Sequence, residues 1–104
     1  MKLPGGGNMQ NMMQQAQQAQ RQLQEEVAKI RVEASTGGGM VTVKMDGSKK
    51  VLAVEIDPDA AEDVEMLQDM IRGAVNEAGT RVDEEAQGKM RGMLGGMGLP
   101  PGML

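Results

Sequence analysis

The chain has 104 residues, 39% apolar and 25% charged, and carries 11 Lys and Arg against 15 Asp and Glu for a net charge of −4, a balance that fits one soluble globular domain. It contains no Cys and no His, which removes thiol chemistry, disulfides, thiolate metal sites and imidazole acid-base catalysis, and its two serines, Ser35 and Ser48, sit in turn-like segments with no base nearby in sequence. With no Phe, Tyr or Trp it also lacks the stacking platforms of single-strand nucleic-acid binders, so neither an enzyme, a cofactor nor a small-molecule substrate is expected, and any nucleic acid would be held through its duplex backbone.

Residues 1–8 read as a flexible N-terminus. The opening "MKLPGGGNMQ" lacks the apolar core of a signal peptide, and no apolar run approaches the ~20 residues of a membrane span, so a cytoplasmic protein with no membrane partner is expected. From Met9 onward, Met9, Met12, Ala16, Ala19, Leu23, Val27 and Ile30 recur every three or four residues, the spacing of an amphipathic helix. Such a helix spans on the order of 30 Å, longer than three short strands can cover. The glutamines between these positions form a neutral, helix-favouring solvated face.

Three strand candidates follow: Ile30, Val32 and Ala34 mark one face of the first, Val41, Val43 and Met45 of the second, and Leu52, Val54 and Ile56 of the third. Gly37, Gly38 and Gly39 stand between the first two. A phosphate-binding loop would need Lys-Ser or Lys-Thr and a helix after the last glycine; "MVTVKM" follows instead, so the glycines read as a strand-connecting turn. Asp46-Gly47 marks the second turn. The other sheet face carries Met40, Val51 and Ala53 beside Thr42 and Lys44, apolar enough to expect a second layer there, in the form of another copy of the chain.

Asp57-Pro58 ends the third strand, and Asp59 with Glu62 reads as a capping box opening the second helical region. The cluster Asp57, Asp59, Glu62, Asp63 and Glu65 lacks the glycine and the later carboxylate that a calcium loop would place at Glu62 and Gln68, so no metal is expected. Val64, Leu67, Ile71, Ala74, Ala78, Val82, Ala86 and Met90 then continue the helical spacing, with Gly79, Gly88 and Gly92 weakening the distal part. Residues 92–104, "GMLGGMGLPPGML", have no periodicity and read as disordered or as a short docking peptide. The expected architecture is α+β: a long helix, a three-stranded antiparallel meander and a second long helix, one domain over residues 9–91. Such a chain buries little by itself, so self-association is expected. The candidate dimer contacts are Met40, Thr42, Val51 and Ala53 with Leu67 and Ile71.

The segments "GMVTVKMDGSKKVLAVEID" (39–57), "DVEMLQDMIRGAVNEA" (63–78) and "GLPPGM" (98–103), with the first helix "NMQNMMQQAQQAQRQLQEEVAKI", resemble the YbaB/EbfC family of bacterial nucleoid-associated proteins. The resemblance covers nearly the whole chain. It implies a tweezers-like homodimer of α-β-β-β-α protomers in the nucleoid that binds double-stranded DNA with little sequence specificity, alters its conformation and influences gene expression. The charge pattern departs from the family, whose first helix is often lysine-rich; here Arg21 and Lys29 are that helix's only basic residues. The candidate DNA contacts are Lys2, Arg21, Lys29 and Arg31, with Arg72, Arg81, Lys89 and Arg91 on the second helix. Local pairing competes for several of them, since Arg21, Glu25 and Lys29 stand at i, i+4, as do Glu77 with Arg81 and Glu85 with Lys89. Residues 1–56 hold seven Lys/Arg against five Asp/Glu, net +2, and residues 57–104 hold four against ten, net −6, so a DNA face is expected to favour the N-terminal half. The alternative from another class is a homomeric prefoldin-like coiled-coil adaptor or holdase that binds protein clients.

Overall fold

The computed structural model describes residues 5–96. Helix α1 (Gly5–Ala28) leads into strands β1 (Arg31–Thr36), β2 (Val41–Asp46) and β3 (Val51–Ile56), and a short 3₁₀ turn (Pro58–Glu62) precedes helix α2 (Val64–Gly96). The strands form one antiparallel sheet in the order β1-β2-β3, the expected α+β meander between two helices. Helix α1 starts ahead of Met9 because Gly5 to Asn8 carry no apolar residue to mark a period, and α2 runs past Met90 to Gly96. Residues 1–4, with Lys2, and residues 97–104, with the "GLPPGM" segment, lie outside the described residues.

The core is the face of β1 and β2 that meets α2. Val32, Ala34, Val41, Val43 and Met45 pack against Met70, Ala74, Ala78 and Val82, and Ile30 closes one end. Ala74 and Ala78 are fully buried and stand one turn apart, so the helix backbone lies close on the sheet. Two polar ties hold that approach. Thr36 Oγ1 donates to the Met70 carbonyl (2.7 Å), and Arg81 Nη1 donates to the Glu33 carbonyl (2.6 Å).

Gly37, Gly38 and Gly39 all have positive φ (62°, 69° and 97°), which is why the β1–β2 turn is built from glycine. The β2–β3 turn differs from a two-residue Asp-Gly turn. Lys49 N donates to the Asp46 carbonyl and Asp46 N to the Lys50 carbonyl (3.0 Å each), with Lys49 itself left-handed at φ 66°. Asp46 organises the turn: its Oδ1 accepts from Ser48 Oγ (2.6 Å), Ser48 N (2.9 Å) and Lys50 N (3.0 Å). Gly47 is required for space, since a Cβ there would run into the Val27 carbonyl of α1. The start of α2 is also corrected. Asp57 caps the 3₁₀ turn by accepting from Asp59 N (2.9 Å), and Asp63 caps α2 by accepting from Met66 N (3.1 Å), so the Asp59–Glu62 capping box is not what opens the helix.

The sheet is covered unevenly. A helix about 10–12 Å across spans roughly two strands spaced about 4.8 Å apart, and α2 lies over β1 and β2. Val54 pairs with Val43 and Ile56 with Val41, so both share the core side, yet Leu52, Val54 and Ile56 remain 48%, 42% and 40% exposed. The opposite face, where a second layer is expected from Met40, Val51 and Ala53, carries polar pairs: Lys44 Nζ lies 3.1 Å from Glu55 and 3.7 Å from Glu33, and Ser35 and Thr42 share a 2.8 Å hydrogen bond, while Met40 packs against the core. A bulge between Lys44 and Met45 pairs Val51 with Met45, which breaks the simple alternation that placed Val51 with Ala53.

Candidate nucleic-acid interface

The molecule is elongated, 78 × 25 × 17 Å, with a radius of gyration of 20.6 Å against about 13 Å for a compact chain of this length. The length comes from an arm built by α1 and the distal turns of α2, which run antiparallel away from the sheet. Val27 packs against the core and Gly47 admits its carbonyl, which fixes the base of α1 against the β2–β3 turn. Arg31 Nη1 donates to the Ala28 (2.9 Å) and Ile30 (2.8 Å) carbonyls, satisfying groups that the end of α1 leaves open. Lys49 Nζ reaches Asp83 at 2.9 Å and ties the same turn to α2.

Glu26 joins the two helices of the arm. Its Oε1 lies 3.4 Å from Lys29 Nζ and its Oε2 3.5 Å from Lys89 Nζ, and the hydrogen bond and charge of Lys29, then those of Lys89, hold its carboxyl below the usual carboxylate range. The expected local rungs are only partly made. Glu77 does pair with Arg81 (3.4 Å), but Lys29 turns to Glu26, and Lys89 crosses to α1 in place of Glu85. Lys44 and Lys49, which have no local partner in sequence, acquire partners through the fold.

Among the described residues, Arg21 and Arg91 have no carboxylate within ion-pairing distance, and both lie on the exposed surface of the arm. Lys29 and Lys89 thus meet at Glu26, and Arg21 and Arg91 lie on the same arm, five residues before Glu26 and two after Lys89. Arg31 stands at the arm's base, committed to backbone carbonyls. Arg81 lies nearer the sheet, held by Glu77 and the Glu33 carbonyl. Arg72, paired with Asp69 at 2.7 Å, sits seventeen residues before Lys89 on α2. At 1.5 Å per residue that separates it from the arm cluster by roughly 25 Å.

The acidic charge collects at the other end. Between Glu55 and Asp69 the chain has seven carboxylates and no basic residue, and this segment surrounds the start of α2. The two halves of the sequence thus do not map onto two halves of the molecule, because the distal turns of α2 join α1 in the arm. Among the described residues no group of these carboxylates is placed to hold a metal ion, and no helix is long and apolar enough to cross a membrane.

A profile described as the YbaB/EbfC DNA-binding family matches residues 5–97, the sheet and both helices together. The chain belongs to the YbaB/EbfC DNA-binding family. It is 50% identical over 98 residues to a nucleoid-associated protein of Koribacter versatilis, covering 92% of this chain and 97% of that protein. A nucleoid-associated protein of Xanthomonas euvesicatoria is 46% identical over 100 residues, with 93% and 94% covered. The fold is also that of an uncharacterised Helicobacter pylori protein of known crystal structure, with a TM-score of 0.62 and 26% identity over 74% of this chain and 92% of that one. Membership of this family does not favour the prefoldin-like reading. Sequence reasoning named every basic residue of the arm but missed Leu52, Val54 and Ile56 as uncovered surface. Their alternation is that of a buried strand face, and the signal that was available is that one helix covers only two strands.

Proposed function

We propose that two copies of this chain associate through the open face of β3 and that the dimer grips duplex DNA with its helical arms. The DNA is bent or compacted with little regard for base sequence, and through this the protein takes part in nucleoid organisation and gene expression. The observation that carries the reading is the separation of charge along the molecule: free Arg21 and Arg91 on the arm, and the acidic run at the far end. A duplex is repelled from one end and meets only a near-neutral arm with exposed guanidinium groups at the other. Phosphate contacts of this kind position a protein without reading bases, and the chain has no aromatic side chain to wedge or stack between them. The names of the relatives support a place in the nucleoid. For the dimer, Val54 and Ile56, with Val51 brought to the same side by the bulge, supply the apolar centre, with the half-buried Leu67 and Ile71 of α2 as further contacts.

The test is an anisotropy titration with two duplexes of equal length and unrelated sequence, run beside a ring-closure assay on short DNA. Dissociation constants alike within a few-fold, near the micromolar or weaker range of non-specific binding at physiological salt, and faster ring closure are expected. Failure to bind either duplex at low salt, or a preference of a hundredfold for one of them, would overturn the reading.

A further inference from the structure

The outer turns of α1 belong to neither the core nor the basic patch of the arm. From the Glu26–Lys89 contact, 21 residues of α1 remain to Gly5 and seven of α2 to Gly96, so among the described residues α1 runs about 21 Å beyond its companion. Met9, Met12 and Met13 on this overhang are 64%, 66% and 61% exposed. Gly5 to Gln20 include no charged residue. A lone neutral helix of about this length that opens on glycines is marginal in water, and it is held by its contacts.

The spacing says what kind of contact. Met9, Met12 and Ala16 fall at successive a and d positions of a heptad, continuing the stripe on which Ala19 and Leu23 are half-buried nearer the base of the arm, and such a stripe is the seam of a helix that faces another helix. Duplex DNA is a poor occupant, since an uncharged segment neutralises no phosphate and releases no counterion. Another copy of α1 presents the same apolar seam. Over most of its surface a chain of net charge −4 repels its own kind, and this overhang is where two copies overlap without bringing like charges together. Tips that project from two molecules meet end to end, so the overlap is antiparallel and centred near Met12.

We propose that the α1 tips of separate molecules pair in this way, joining dimers into larger assemblies that link DNA segments. The inference goes beyond the DNA grip and is read without DNA. Light scattering on the full chain at about 1 µM and about 100 µM is the first measurement. The mass is expected to at least double between the two concentrations in the parent and to stay at its low-concentration value in a Met9→Gln, Met12→Gln, Met13→Gln variant, which keeps charge and helix propensity. The second measurement places a thiol at the middle of the overlap. Since the chain has no cysteine, Met12→Cys introduces a unique thiol, which is expected to form intermolecular disulfides under mild oxidation at least tenfold faster than Glu84→Cys on exposed α2. Equal crosslinking of the two variants, a parent mass that does not change with concentration, or a triple variant that assembles like the parent would each overturn the proposal. So would a triple variant that loses DNA affinity at unchanged mass, which would assign the seam to the duplex. Assembly that appears only after removal of residues 97–104 would assign it to the chain's own tail and likewise overturn the proposal. A chain that binds no DNA leaves all these readouts intact, which separates failure of the two ideas.

Discussion

Val54→Asp tests whether β3 is where two copies meet. Val54 lies opposite Val43 on the core side of the sheet and is 42% exposed. Full burial of a valine is worth about 1.5–3 kcal/mol, so covering the open part contributes roughly 0.6–1.2 kcal/mol per copy and about twice that per symmetric dimer. Val54→Ala removes two of its carbons and keeps Cβ, about 0.7 kcal/mol per copy, and should therefore weaken the dimer about tenfold. Aspartate does more, because it brings two unpaired carboxylates into the same interface, at a cost of several kcal/mol each. The unassociated fold should tolerate the change, since the site is open to water there. Light scattering at about 10 µM should return roughly 22 kDa, twice the 11.1 kDa chain, for the parent and the single-chain mass for Val54→Asp, with the helical circular dichroism retained. Thr42→Asp, on the opposite face beside Lys44, should leave the mass unchanged. Refutation would be a Val54→Asp variant that keeps the parent mass, above all if Thr42→Asp loses it, which would return the interface to the face carrying Thr42 and Ala53; Met40 packs against the core.

Three further outcomes follow from single contacts. Gly47→Ala forces a Cβ against the backbone of Val27, which cannot swing aside as a side chain would; a cost of about 1–3 kcal/mol and a melting temperature lower by several degrees are expected, and an unchanged melt would show that α1 is not seated on this turn. Thr36→Val removes the donor to the Met70 carbonyl and should cost about 0.5–1.5 kcal/mol in denaturant unfolding, with no loss if the hydrogen bond is absent in solution. Asp46 is held below the usual carboxylate range, first by the Ser48 hydroxyl and then by Lys50 N, so its stabilisation is complete above that range and is lost as pH falls through its lowered value. Melting temperature followed from pH 5 downward should fall less steeply in Asp46→Asn than in the parent; parallel curves would contradict the role of this turn.

Much of the fold was legible because its elements carry clean periods. Val41, Val43 and Met45 alternate, and the apolar residues of α2 recur at three and four, so strands, helix and the buried face of β2 follow directly. The ends of α1 and α2 were not legible, since Gly5 to Asn8 and the glycine-rich distal turns have no apolar pattern to read. The second turn escaped for a different reason. Asp46-Gly47 predicts a tight turn from local preference, whereas the glycine is needed by a contact with Val27, twenty residues away, and the left-handed position falls on Lys49. The basic residues of the candidate site were all readable as residues. Their grouping was not, because only the antiparallel arm puts Lys89 beside Glu26 and leaves Arg72 far from both.

The salt dependence of DNA binding tests the arm most directly. A protein that neutralises Z phosphates shows a slope of log K against log salt of about −0.9Z, and a few basic residues per copy predict a slope of roughly −3 to −6 for the dimer. Arg21 and Arg91 are the free guanidiniums of each arm among the described residues, so Arg21→Gln with Arg91→Gln removes four charges from a dimer and should flatten the slope by up to about 3.6 while weakening all duplexes alike. Arg72→Gln, roughly 25 Å from the arm cluster and paired with Asp69, should change neither slope nor affinity. Binding that ignores salt, or a double variant that binds as the parent does while Arg72→Gln weakens the complex, would contradict the assignment of the arm as the DNA-contacting surface.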